Sequence, residues 1–386
     1  MIRLIFLSDF TESYAHNLLR GILEYSRAGE PWAICKMPPY YKQVHGVIGV
    51  VEWALQWKAD VVIGQFEPTD NVALFARHGI LCIAQDFKKR FEAVTNITGG
   101  YEETGAVAAK YFLRKGFINF AFYGYANVVW SAERFKGFKQ CLQVNNMGGN
   151  VYAYEKQQFD YMWYNENDHL VQWLKSLPHP VALMACDDTR AYKVIEECRL
   201  LGYKVPEDIA VIGVDDDTTC SLSYPTISTI RLTVVKAGYE AARMIDAYKH
   251  GDREALHNIV VEPVMVVERQ STDIYATCNA FILKALKYIH GHISEEISVE
   301  DVVAQVPMSR RLLEMRFKEE TGSSVYQYIT SLRMDRFSQL LVSSSAPVAD
   351  IAASVGLTDP KNLSRQFKQK KGLTPLEYRK KFSLSH

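Results

Sequence analysis

In DIAASVGLTDPKNLSRQFKQKKGLTP (350–375), Leu363 and Phe367 fall four residues apart, so they share one face of a helix. Lys361, Asn362, Ser364, Arg365 and Lys368 are left on the other face. Arg, Lys and Asn on an exposed helix face match the donors and acceptors of base edges in a DNA major groove, and the cations match its phosphates. The same spacing recurs about 50 residues earlier, in ISVEDVVAQVPMSRRLLEMRFKEETG (297–322). There Leu313 and Phe317 form the apolar pair, and Arg310, Arg311, Glu314, Met315 and Lys318 face outward. Either stretch alone reads equally well as an ordinary amphipathic helix with a solvated basic face. Two such stretches, followed by KKGLTPLEYRKK (370–381), favour a pair of readers of double-stranded DNA.

Each reader needs a scaffold. The later one divides into a helix over Val348–Val355, a turn, and a helix over Pro360–Lys371. Gly356 can take the left-handed backbone that ends the first helix, Asp359 can cap the second, and Pro360 then occupies its first position. The earlier one pairs Val299–Val306 with Ser309–Thr321, and a longer helix over Val325–Leu341 connects the two. Two helix-turn-helix motifs, 299–321 and 348–371, on a rigid connector would enter successive major grooves.

Upstream the pattern changes. Residues 1–230 alternate short apolar runs with longer helical ones: strands Arg3–Ser8, Ala33–Lys36, Val61–Phe66, Leu81–Ala84, Asn119–Tyr123, Asn150–Tyr154, Ala182–Ala185 and Ile209–Val214, with helices between them. That rhythm predicts βαβ units in parallel sheets, and its restart after a crossover near residue 98 predicts two lobes. A helix over Val234–His250 and a last strand over Ile259–Glu268 complete an α/β domain, 1–272. A linker over 273–277 then leads to an all-α domain, 278–386. With 386 residues, 48% of them apolar, two or three cored units are expected. The zero net charge hides a split: from residue 276 onward Lys+Arg number 16 against 11 Asp+Glu, whereas the first 275 residues carry 28 against 33.

Several classes fall away. The seven cysteines (Cys35, Cys82, Cys141, Cys186, Cys198, Cys220, Cys278) form no CxxC pair, so neither a zinc site nor a disulfide framework is expected. The opening MIRLIFLSD is too short for a signal-peptide core and right for a strand, and no apolar run is long enough to span a membrane. A cytoplasmic protein without a membrane partner is expected. The chain lacks GxGxxG after its first strand, GxxxxGK[ST], GxSxG and HExxH, so an enzyme with an α/β catalytic domain is the remote alternative and no cofactor is expected.

The last 110 or so residues resemble the C-terminal DNA-binding domain of the AraC/XylS family of transcription regulators. The resemblance is carried by RMDRFSQLL (333–341), VADIAASVGL (348–357), LSRQFKQKKGLTPLEYR (363–379) and MSRRLLEMRFKEETG (308–322). It implies that Arg310, Arg311 and Glu314 in one helix, and Lys361, Asn362 and Arg365 in the other, contact bases or adjacent phosphates. It also implies a homodimer and, for an activator, RNA polymerase as a partner. The chain departs from the pattern at Leu357, at Leu363 and at Pro307-Met308, where aromatic residues and a glycine are usual.

Residues 1–270 resemble the two-lobed type I periplasmic-binding-protein fold used by the ligand domains of LacI/GalR repressors. GYEETGAVAAKYFLRKGFINFAFYG (100–124), SAERFKGF (131–138), ALMACDDTRAYKVI (182–195), VPEDIAVIGVDDD (205–217) and YPTISTIRL (224–232) carry it. Sensor first and reader last is an order similar to that of activators of xylose-utilisation operons. It implies a pentose effector, D-xylose, with L-arabinose, another sugar or a phosphorylated sugar as alternatives. By resemblance Arg134 takes the place of a hydroxyl-binding arginine, Asp187 that of a polar group after its strand, and Asp215 that of the acid in the GVDD turn. Trp130 would stack on the sugar ring or pack between lobes. Asp9, Phe10, Gln65 and Glu67 are candidates by topology, as they follow strands at the ends where such folds bind ligands. Asp188, Asp216 and Asp217 serve equally as ligands or helix caps. The family's TDN at the lobe junction is Thr98-Gly99-Gly100, which lacks the acid.

Overall fold

Runs such as RLIFL, VVIGQ, FAFYGY and IAVIGV are short, rich in β-branched and aromatic residues, and buried nearly end to end, as parallel strands covered on both faces must be. The computed structural model describes residues 1–10, 13–156, 167–275, 279–357 and 360–383. They form two compact units, 1–109 with 119–273 and 110–118 with 274–386.

The first unit begins β1 (Arg3–Leu7), α1 (Ser13–Ala28), β2 (Ala33–Met37), α2 (Pro39–Trp57), β3 (Val61–Gln65), α3 (Ala73–Arg77), β4 (Leu81–Gln85) and β5 (Thr95–Gly99). It continues α4 (Tyr101–Arg114), whose residues from 110 onward belong to the second unit, then β6 (Phe120–Tyr125), α5 (Val129–Val144), β7 (Val151–Lys156), α6 (Asn167–Ser176), β8 (Val181–Ala185), α7 (Asp188–Leu201) and β9 (Ile209–Val214). It ends α8 (Thr219–Leu222), β10 (Ser228–Leu232), α9 (Val234–Lys249), β11 (Ile259–Val261) and β12 (Pro263–Val267). One sheet runs β11-β5-β4-β3-β1-β2 and the other β12-β10-β9-β8-β6-β7. All pairings are parallel except β10 with β12.

The expected strand over 259–268 is two strands in different lobes: β11 joins β5 in the first sheet, and after Glu262 the chain adds β12 to β10 in the second. Strands β5 and β10 were not expected, because TNITG and STIRL are neither alternating nor continuously apolar. One close contact matters for function. A Cβ at Gly105 of α4 would lie 1.9 Å from the Arg134 carbonyl of α5, and one at Gly137 would lie 1.9 Å from that of Glu102. The two helices therefore meet backbone to backbone, which fixes where Arg134 sits.

The second unit contains α10 (Ala280–Gly291), α11 (Val299–Val303), α12 (Arg310–Thr321), α13 (Val325–Ser343), α14 (Val348–Ser354), α15 (Pro360–Lys371) and α16 (Pro375–Phe382). Ser298, Ser324 and Thr374 begin capping boxes, and Ser309 caps α12. α11 stops at Val303, short of the expected Val306, ahead of Pro307. Gly356, at φ 73°, ends the first helix of the later motif as expected; the cap expected of Asp359 lies outside the described residues. Leu313 and Phe317 are fully buried in a core with Ile282, Val302 and Ile329, and Leu363 and Phe367 are buried likewise. Phe367 stands edge to face between Phe337 and Tyr378.

Candidate ligand cleft and DNA-reading surface

A cleft opens at the carboxyl ends of the strands in both lobes of the first unit, where a parallel sheet leaves loops and helix starts unpaired. From the first lobe it is lined by Ser13 and Tyr14 at the start of α1, Gln65 closing β3, and Gln85-Asp86 at the end of β4. From the second come Trp130 and Arg134 on α5, Asp187 and Thr189 after β8, and Asp215 and Asp217 after β9. Tyr101, the first residue of α4, completes the wall.

Arg134 is 3% exposed, with its guanidinium 5.3 Å from the Trp130 ring and 5.6 Å from that of Tyr101. One Nη donates to the Cys186 carbonyl, and the other lies 3.6 Å from Asp215, an ion pair too long for a hydrogen bond. Burial pushes the Asp215 carboxyl up to about 6; Arg134 opposes that shift, and Asp187 and Asp217 add to it. Asp215 also holds a left-handed backbone, φ 106°, rare for a residue with a side chain.

Across the cleft, Asp86 accepts from Thr98 Oγ1 (2.6 Å) and Arg90 Nε (2.9 Å) with one oxygen. Burial nevertheless raises its pKa, against the pull of Thr98 and Arg90. Arg90 in turn holds Glu133 of α5 by a bidentate pair at 2.8 and 2.7 Å. Thr98, first residue of the junction that lacks its acid, thus serves as a partner for Asp86. The other Asp86 oxygen, both amide atoms of Gln85, Arg134 Nε and Asp215 Oδ1 are buried without a hydrogen-bond partner in the protein. Donors and acceptors therefore face the same space, and each such atom left bare costs about 1–3 kcal/mol.

Of the residues expected from sequence, Arg134, Asp215, Trp130, Gln65, Asp187, Asp188 and Asp217 line the cleft. Asp187 is also the cap of α7, accepting from the Arg190 amide at 2.8 Å and pairing with its guanidinium at 3.1 Å. Asp188 is committed to the fold: its oxygens accept from Thr229 Oγ1 at 2.6 Å and the Asp217 amide at 2.8 Å. Asp216 pairs with Arg231 and Arg269, away from the cleft lining. Asp9, Phe10 and Glu67 do not line it either. Phe10 packs on Phe6 and His16, and Glu67 pairs with Lys88 at 3.0 Å. Ser13, Tyr14, Gln85, Asp86, Tyr101 and Thr189 were missed. Gln85-Asp86 had a signal: it directly continues the apolar run LCIA, as Gln65 continues its own strand.

In the second unit, Arg311 and Lys318 of α12 and Ser364, Arg365 and Lys368 of α15 are exposed. Arg310 pairs with Glu300 of α11. Glu314, expected to face DNA, accepts instead from the Val325 amide at 3.2 Å and so helps start α13. Lys361 and Asn362 fall in the first turn of α15, with side chains outside what is described.

Residues 109–272 match the family of periplasmic binding protein-like domains, and residues 302–381 match a family of helix-turn-helix domains. The chain is 27% identical over 390 residues to the xylose operon regulatory protein of Escherichia coli (strain K12), spanning 98% of this chain and 96% of that protein. It is 28% identical over 336 residues to the protein of that name from Haemophilus influenzae, spanning 84% and 86%. The solved structure of the xylose-binding transcription activator xylR superposes with a TM-score of 0.58 at 26% identity, over 99% of this chain and 98% of that one. This protein is thus a transcription regulator homologous to the xylose operon regulatory proteins, with a periplasmic-binding-protein-like domain joined to a helix-turn-helix domain.

Proposed function

We propose that this protein is a pentose-responsive activator, with D-xylose as effector, acting in the cytoplasm as a homodimer on an operator and engaging RNA polymerase there. The observation that carries the sugar is the set of buried, unpartnered atoms of Gln85, Asp86, Arg134 and Asp215 around one cleft. Hydroxyls both donate and accept, so a polyol satisfies such a mixed set where an apolar ligand would leave it bare. An anionic ligand fits poorly: Asp86, Asp187, Asp215 and Asp217 outnumber Arg134 in the lining. That places a phosphorylated sugar behind a neutral one. The similarity to a xylose-binding activator over nearly the whole chain selects the pentose. We read the cleft as non-catalytic, a place where binding closes one arrangement of the lobes and changes how the readers are presented to DNA.

Calorimetric titration of the whole chain with D-xylose, L-arabinose, D-ribose and D-glucose tests this. Saturable binding of D-xylose at one per chain is the expected result. Binding of another sugar alone would move the effector, and binding of none would remove the sugar reading while leaving DNA recognition untouched.

A further inference from the structure

The two reading helices differ in chemistry. In α12 the face turned away from Leu313 and Phe317 carries Leu312, 38% exposed, and Met315, 48% exposed, between Arg311 and Lys318. Large apolar side chains on a solvent face are a cost unless something covers them. Of the polar residues expected to contact bases or phosphates beside them, Arg310 is held by Glu300 and Glu314 by the Val325 amide, and Arg311 is left exposed. In α15 the corresponding face is polar, with Ser364, Arg365 and Lys368 exposed. The buried pairs Leu313/Phe317 and Leu363/Phe367 fix the correspondence between the helices. Met315 holds in α12 the place that Arg365 holds in α15, and Leu312 the place of Asn362.

From this juxtaposition we propose that α12 reads thymine: Leu312 and Met315 cover thymine C5-methyl groups in the major groove while Arg311 and Lys318 hold the flanking backbone. This rests on DNA recognition by the helix-turn-helix domain and specifies what one half of it recognises. Thymine alone among the bases presents a methyl group in that groove, and apolar side chains are its natural partners. The two half-sites of the operator are then chemically unlike. The α12 half is read by apolar contact, and the α15 half by hydrogen bonds from Arg365.

The test uses the full chain. A preferred site is selected from randomised double-stranded DNA, and each thymine in it is then replaced singly by deoxyuridine, which removes the methyl and nothing else. The expected result is a stretch, confined to one half-site, in which each replacement weakens wild-type binding about fourfold, the worth of one buried methyl-sized group. Met315→Ala and Leu312→Ala, both surface changes that leave the core intact, should bind the thymine and deoxyuridine sites equally. Indifference of the wild type to deoxyuridine throughout the site overturns the proposal, as does an undiminished deoxyuridine effect in both variants. Enrichment of no site at all would instead strike at sequence recognition by the domain, a failure visible before any replacement is made.

Discussion

At Asp215 the backbone turns to φ 106° and burial lifts the carboxyl to about 6, so the residue is held where an aspartate is not at rest. Between its ordinary value and about 6 the folded chain keeps a proton that the unfolded chain has lost. Its contribution to the stability of the unliganded fold therefore declines as pH rises through that window and stays low above it. A sugar hydroxyl donating to the carboxylate reverses the preference and favours the ionised form. Sugar affinity measured calorimetrically from pH 8 to pH 5 should thus hold steady down to about 6 and then fall, approaching tenfold per unit. Asp215→Asn should bind weakly and lose this dependence. A flat profile for the wild type would mean that the carboxylate does not touch the ligand. Arg134 and Asp215 were legible in sequence because family-like motifs surround both. Gln85 and Asp86 were not, since an apolar run marks where a strand lies but not which polar residue beyond it turns inward. Glu314 shows the converse: helical periodicity places it outward, and only the packed start of α13 reveals the amide that takes its carboxylate.

Among the elements, the reading helices were the most legible, because caps and four-residue apolar spacing are local signals. Strands β5 and β10 were the least, because each is made a strand by its neighbours in the sheet and not by its own pattern. Asp335, in the middle of α13, is an element-scale feature invisible to either signal. It lies 3.0 Å from Lys371 and 3.4 Å from Lys370 at the end of α15, and it also pairs with Arg114. Burial alone would raise its pKa, but Arg114, Lys371 and Lys370 together hold it well below the ordinary range. The stabilisation is therefore complete at neutral pH and declines as pH falls from the ordinary carboxylate range down through that depressed value. Asp335→Ala leaves three cations facing one another and should destabilise the second unit by about 3 kcal/mol. The six tryptophans (Trp32, Trp53, Trp57, Trp130, Trp163, Trp173) all precede residue 275, so their fluorescence reports on the first unit. Urea unfolding of the variant should show the share of the helical circular-dichroism change that comes from α10–α16 moving to lower denaturant, while the tryptophan transition and the share from α1–α9 stay. Unchanged circular dichroism would mean that the cluster contributes nothing.

For the whole molecule, sensing and reading are joined only if the sugar binds one arrangement of the chain more tightly than another, because a ligand indifferent to both arrangements shifts nothing. Allosteric couplings of this kind are typically about 1–3 kcal/mol, so D-xylose should change operator affinity by roughly 5- to 150-fold in an anisotropy titration. Arg134→Ala should abolish that change and keep the sugar-free DNA affinity. Gln85 is as buried as Arg134, but neither of its amide atoms bonds within the protein, so Gln85→Leu serves as a second variant that removes polar contact without breaking a hydrogen bond of the fold. Loss of DNA binding in both variants would point to misfolding and not to a silenced sensor. Linkage adds a stricter requirement: operator DNA must raise the affinity for D-xylose by the same factor by which D-xylose raises the affinity for the operator. Titrating the sugar into free protein and into protein saturated with operator measures both sides of that equality. Should DNA leave sugar affinity unchanged while the sugar still activates transcription, the effector acts after binding, on how the bound regulator meets RNA polymerase, and the population shift lies in that later complex.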